Sequence, residues 1–191
     1  MSGDPRTVLM SYLSAGNVVH GELGAVSLNV AGRSGQGDLR VVDAFVYERE
    51  GVPKNTAAVG QPMVIQLGYK AARPDLITIS FEIKVRDRDG RIVTVLSTKS
   101  RAQDFTNLQG HGYVSCRIDR CPLPAGRYSI DITASWPGVV LDSLPQALSF
   151  DVLPGRYFEG GLNEAQEGIV YVDHAWSSEG DVVPRLLAVP Q

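Results

Sequence analysis

The sequence predicts an all-β fold, a sandwich of antiparallel strands, and three observations carry that reading. From Ile77 to Asp87, Ile77, Ile79, Phe81, Ile83 and Val85 alternate with Thr78, Ser80, Glu82, Lys84 and Arg86, the period of two that marks a strand with one buried face. Tyr128, Ile130, Ile132, Ala134 and Trp136 repeat the pattern, with Ser129, Asp131, Thr133 and Ser135 opposite. Turn signals recur at short intervals, as in Asp87-Arg88-Asp89-Gly90 and Leu123-Pro124-Ala125-Gly126, and no long helical period interrupts them.

Taken in order, residues 1–14 read as a short helix, with Asp4 as N-cap, Pro5 at the first helical position and Val8, Leu9, Tyr12 and Leu13 on one apolar face. So short a helix cannot stand alone in water, so it is expected to be left over from a preceding domain. Residues 15–38 turn to Gly, Ser and Asn and read as a linker with one candidate strand, Ala25 to Val30. Within it, Gly32-Arg33-Ser34-Gly35-Gln36-Gly37 lacks the Lys-Ser/Thr of a phosphate loop and precedes a strand, which predicts a flexible turn. Strands are expected at Leu39 to Glu50, Met63 to Ala71, Ile77 to Asp87, Arg91 to Thr98, Tyr113 to Arg120, Arg127 to Trp136, Ala147 to Leu153 and Gly168 to Trp176. Seven or eight strands in one domain, residues 39–177, imply an immunoglobulin-like sandwich. Residues 178–191, with Gly180, Pro184 and Pro190, read as a flexible tail.

Composition narrows the function. A net charge of -3 and a pI near 5.6 leave no basic footprint for nucleic acid. The longest apolar runs fall far short of the roughly 18 to 20 residues that cross a bilayer, and the first residues lack the basic and apolar regions of a signal peptide, so the cytoplasm is the expected compartment. Cys116 lies on the apolar side of its strand and Cys121 at the strand end before Pro122, so their side chains diverge and neither a disulfide nor a zinc shell is expected. His20, His111 and His174 are scattered, no nucleophile elbow is present, and no cofactor or metal is implied, all of which argues against an enzyme.

Glu82 and Asp131 on neighbouring strands could imitate a glycosidase pair. A solvated sheet face, with Lys84 and Arg86 neutralising those carboxylates, accounts for the same residues more simply. Trp136 and Trp176 fall in phase with apolar neighbours and are expected in the core or at a sheet edge, and His174 near a strand end. Tyr113 and Tyr171 fall out of phase and are expected at the surface, where a tyrosine ring can stack on a sugar, contact a partner or protect an edge.

At this point the pattern resembles a known family. Gly35-Gln36-Gly37-Asp38-Leu39-Arg40-Val41-Val42-Asp43-Ala44, then Val59-Gly60-Gln61-Pro62-Met63-Val64-Ile65 and Val85-Arg86-Asp87-Arg88-Asp89-Gly90-Arg91-Ile92-Val93 are similar to the C-terminal domain of the Wzt-type ATPase subunit of O-antigen polysaccharide ABC exporters. Ser97-Thr98 stands where that family usually has Asn-Thr, and Cys121-Pro122-Leu123-Pro124-Ala125-Gly126-Arg127-Tyr128 resembles its Pro-Leu-x-x-Gly-x-Tyr turn. Ala147 to Val152 and Gly168 to Trp176 close the series. The resemblance implies a sandwich that binds the exported glycan in the cytoplasm and couples it to export, without hydrolysing ATP itself. It also implies a homodimer, with the last strand exchanged in some members, and a membrane subunit reached through the missing ATPase domain.

If the strands at Ile77, Arg91 and Arg127 share a sheet, Glu82, Lys84, Arg86, Asp131, Thr133 and Ser135 form one polar face able to donate and accept hydrogen bonds. That face, with Tyr113 or Tyr171 nearby, is the expected carbohydrate site. The alternative is a dimerisation or regulatory module whose polar face is only solvated.

Overall fold

The computed structural model of the chain describes residues 31–48, 55–73, 78–160, 168–174 and 176. The expected N-terminal helix, the candidate strand Ala25 to Val30 and the tail lie outside the described residues. Among the described residues eight strands form: β1 (Leu39–Glu48), β2 (Thr56–Ala58), β3 (Met63–Ala71), β4 (Ser80–Arg86), β5 (Ile92–Ser97), β6 (His111–Ile118), β7 (Gly126–Trp136) and β8 (Val139–Leu153), with one 3₁₀ turn at Lys99–Arg101. They build a three-stranded sheet in the order β1-β3-β6 and a five-stranded sheet in the order β2-β8-β7-β4-β5. All pairings are antiparallel except the short β2–β8 contact.

The alternation read from the sequence explains the layering. Val41, Ile65 and Leu67 from one sheet and Phe81, Ile83, Ile130, Ile132 and Phe150 from the other are buried and share one core between the two sheets. Burying side chains of this kind supplies most of the stability, at about 25 cal/mol per Å² of apolar surface removed from water. A register shift in β1 between Val41 and Asp43 moves the inward positions from Leu39 and Val41 to Ala44 and Val46. The Tyr128 hydroxyl donates to Pro124 O at 2.9 Å, tying the start of β7 to its own turn in the manner of a tyrosine corner.

Besides the short β2, which the sequence reading did not place, three segments depart from it. First, β8 begins at Val139 rather than Ala147, because Pro137 and Gly138, the latter at φ 78°, make a tight turn that pairs Trp136 directly with Val139. The strand then tolerates Pro145 through a bulge: the register with β7 shifts between Ile130 and Ile132, and Gln146 adopts φ 47°. Second, residues 34–37 are not a flexible turn but run bonded along β8, with Ser34 bridged to Ser143 and the Gln36 and Gly37 amides donating to Val140 O and Leu141 O. Third, residues 168–174 form no strand, and Trp176 is 92% exposed rather than in the core or at a sheet edge. Among the described residues they pair with no strand, and Tyr171 N–H donates to Pro122 O at 2.7 Å.

Candidate functional site

The outer surface of the five-stranded sheet gathers six of the eight expected residues. Strand β4 opposes Ser80, Glu82, Lys84 and Arg86 to Ser135, Thr133, Asp131 and Ser129 of β7, and directly opposed residues share a face. Their inward neighbours are all core residues, so these side chains point to solvent because the alternation leaves no other side. Arg86 Nε donates to Asp131 Oδ2 at 2.8 Å and Arg86 Nη1 to Gly90 O at 2.8 Å, while Lys84 Nζ sits 3.3 Å from Glu82 Oε1. The second Asp131 oxygen accepts the Gln146 N–H at 2.9 Å, so one carboxylate holds both Arg86 and the β8 bulge.

This arrangement answers the glycosidase reading. The strand register puts Asp131 opposite Lys84 and Glu82 opposite Thr133, and each carboxylate has its own cationic partner. The arrangement is the charge-balanced sheet face in which Lys84 and Arg86 neutralise neighbouring carboxylates.

Register also reveals residues that sequence reasoning missed. Ser97 lies opposite Glu82, Thr133 opposite Ser143 and Ser143 opposite Ser34, giving a continuous row Ser97-Glu82-Thr133-Ser143-Ser34 across the sheet. Ser149 opposes Ser129 in a parallel row beside Arg86. The serines of β8 were hidden because the bulge at Pro145 and Gln146 breaks the strand's alternation; only the polar spacing of Ser143 and Ser149 around it hints at a shared face. At one end of the face a pocket of about 450 Å³ opens between Ala31, Arg86, Gly90, Asp131, Pro145 and Gln146.

The two tyrosines do not join this face. Tyr113 belongs to β6 in the other sheet, opposite Gly68, where a Cβ would come within 3.1 Å of the Tyr113 ring and of Asp43. Burial, and then the Asp43 carboxylate, raise its phenol above the ordinary value. Tyr171 stacks on Tyr157 with ring centroids 5.1 Å apart, in a separate cluster with Phe158 and His174. The Arg120 guanidinium lies 4.5 Å from the Tyr157 ring centroid and bonds Asp173 at 2.8 Å, which ties the segment carrying Tyr171 back to the end of β6. His174 turns its Nδ1 toward Val172 O at 2.8 Å and sits at this segment's surface.

A second, larger cleft of about 540 Å³ lies between β5 with its following turn and β6, over Leu67, Phe81, Ile83, Phe105 and Val114. Cys116 borders it as a free thiol, and burial raises its pKa, as burial does for Cys121. Among the described residues no three His, Cys, Asp or Glu side chains gather as a metal cluster would, and no helix is long and apolar enough to cross a membrane.

Comparison with known proteins places this geometry. None of the curated protein sequences matches the chain. Among solved structures, the crystal structure of the C-terminal domain of wzt superposes with a TM-score of 0.61 at 15% identity, covering 81% of this chain and 92% of that one. The PmoD soluble domain from Methylocystis sp. ATCC 49242 (Rockwell) aligns over 71% of this chain and 100% of its own at 12% identity, with a TM-score of 0.33. The Wzt C-terminal domain family matches residues 30–165, and over that span this chain belongs to it.

Proposed function

We propose that this chain is the non-catalytic carbohydrate-recognition domain of an O-antigen polysaccharide ABC exporter, and that it holds the exported glycan on the outer face of the five-stranded sheet. Family membership supports the transporter setting. The observation that carries the glycan reading is the row of short hydroxyls and paired charges, Ser97-Glu82-Thr133-Ser143-Ser34, beside the Arg86–Asp131 pair. Sugar hydroxyls are both donors and acceptors, and this row offers both without a bulky side chain to lift a polymer off the sheet. Asp131 and Glu82 would accept from vicinal hydroxyls while Arg86, Lys84 and the Ser and Thr hydroxyls donate, so a chain of sugars would exchange its water partners for protein ones with little desolvated charge left over.

In the same reading the domain works in the cytoplasm at the inner membrane, linked through an ATPase domain to the membrane subunit, and needs neither nucleic acid nor a cofactor. A homodimer fits beside it. Residues 168–174 carry the alternation of a strand yet pair with no strand among the described residues, and Ile169, Val172 and Trp176 are exposed, so exchange of this segment with a second copy would cover them. The dimerisation-only alternative is separated from glycan binding by following backbone amide shifts while the polysaccharide of the source cell is added. Shifts concentrated on β4, β7 and β8 are expected. No shift there at roughly millimolar polysaccharide, the range of weak shallow sites, would leave only the assembly role.

A further inference from the structure

Residues 31–37 are held in place more firmly than a connecting segment needs. Ser34 and Ser143 exchange both backbone hydrogen bonds, at 3.0 and 2.8 Å, and the Gln36 and Gly37 amides donate to Val140 O and Leu141 O at 3.1 and 2.8 Å. The contact is close enough that a Cβ on Gly35, at φ 121°, would come within 2.5 Å of Leu141 O. Arg33 then reaches across the seam of the sandwich. Its Nε and Nη2 donate to the two Asp142 oxygens at 3.0 and 2.7 Å, and Nη2 also donates to Val41 O at 3.0 Å. Asp142 is fully buried, accepts the Val41 N–H at 2.8 Å and has Arg40 Nη1 at 3.6 Å. A carboxylate removed from water in this way persists only while its cations and donors stay in place, so the pair acts as a latch joining this segment to β8 and to β1.

The same segment forms one edge of the proposed glycan face. Ala31 walls the pocket that holds Arg86, Asp131 and Gln146, and Ser34 ends the hydroxyl row that begins at Ser97. A sugar seated there would touch the sheet and the segment at once. We infer that residues 31–37 are a coupled wall of the glycan site: Ala31 and Ser34 contact the polymer, Arg33 and Asp142 are positioning residues, and glycan occupancy tightens the docking of this segment on β8. This rests on the glycan reading above. The coupling is reciprocal by thermodynamic linkage, so a glycan that tightens the segment must lose affinity when the segment is loosened.

The test uses the whole chain and polysaccharide extracted from the source cell. Saturating polysaccharide should slow hydrogen exchange at the Ser34, Gln36 and Gly37 amides about tenfold, and Arg33→Gln should weaken polysaccharide binding about tenfold while unfolding stays cooperative. Binding to the unaltered chain with no change at those three amides would overturn the coupling alone, as would an Arg33→Gln chain of unaltered affinity. If Arg33→Gln does not fold, exchange in the unaltered chain decides. A chain that binds no polysaccharide at all would bring down the glycan reading and the coupling together.

Discussion

The outward positions of β4 and β7 carry Ser80, Glu82, Lys84 and Arg86 against Ser135, Thr133, Asp131 and Ser129, whereas the three-stranded sheet turns Phe45, Tyr47 and Tyr113 outward around Gly68. The first surface is a lattice of short hydroxyls and compensated charges, and the second sets those three rings among Asp43, Gln66, Ser115 and Arg117. Both follow from the same alternation of in and out, so the contrast teaches that one rule of burial can give two chemically different outer faces. In the proposed reading a flat array of donors and acceptors replaces water at each sugar hydroxyl, whereas a face with three rings would hold a sugar by stacking.

The sharpest way to break that contrast is to block one face at a time. Thr133→Arg on the five-stranded sheet should reduce polysaccharide affinity about thirtyfold or more, roughly 2 kcal/mol, by calorimetric titration, while Ser115→Arg on the other sheet leaves it unchanged. The reverse outcome would move the site to the three-stranded sheet.

Asp131→Ala tests whether one carboxylate serves both the ligand and the scaffold. Arg86 and the Gln146 N–H lose their acceptor together, so stability should fall by about 1–3 kcal/mol in urea unfolding, with affinity falling about tenfold. Asp131→Asn, which keeps one acceptor oxygen, should recover part of the stability.

Crowding the other face should leave binding untouched. Gly68→Val would press a side chain against Tyr113 and Asp43 and cost about 1–3 kcal/mol of stability, with polysaccharide affinity unaltered. The smallest effect is a titration. Because burial and Asp43 favour the neutral phenol of Tyr113, its absorbance change should come above the ordinary tyrosine value. The stability that this shift contributes is complete below the ordinary value and is lost as pH rises through the higher, folded one. A Tyr113 that ionises at the ordinary value would mean a ring as open to water as the opposite face.

Much of this was legible locally. The bounds of β3 could be read from Met63 to Ala71, and the placing of Glu82, Lys84, Arg86, Asp131, Thr133 and Ser135 on one face needed only two alternating strands and a shared sheet. The first half of β8 was not legible, because Pro137, Gly138 and Pro145 imitate a loop and only the bulge capped by Asp131 makes Pro145 tolerable in a strand. Asp142 has the look of a surface charge, and nothing near it in the chain announces Arg33, 109 residues away, as its partner. Gly32 to Gly37 has the composition of a free turn and gains its order from β8 and, through Arg33, from β1.

Tyr113 states the division most clearly. Its position out of phase with Val114 and Cys116 predicted a surface ring, and it is 37% exposed, yet it belongs to the sheet opposite the residues it was expected to join. The amino-acid sequence by itself determined which side of each strand meets water, because successive side chains must alternate and the apolar ones must be buried. Which strands lie beside one another, and so which surface residues become neighbours, was decided only in the tertiary structure. Strand pairing is made by backbone hydrogen bonds between distant segments, and every non-proline residue carries the same donor and acceptor whatever its side chain.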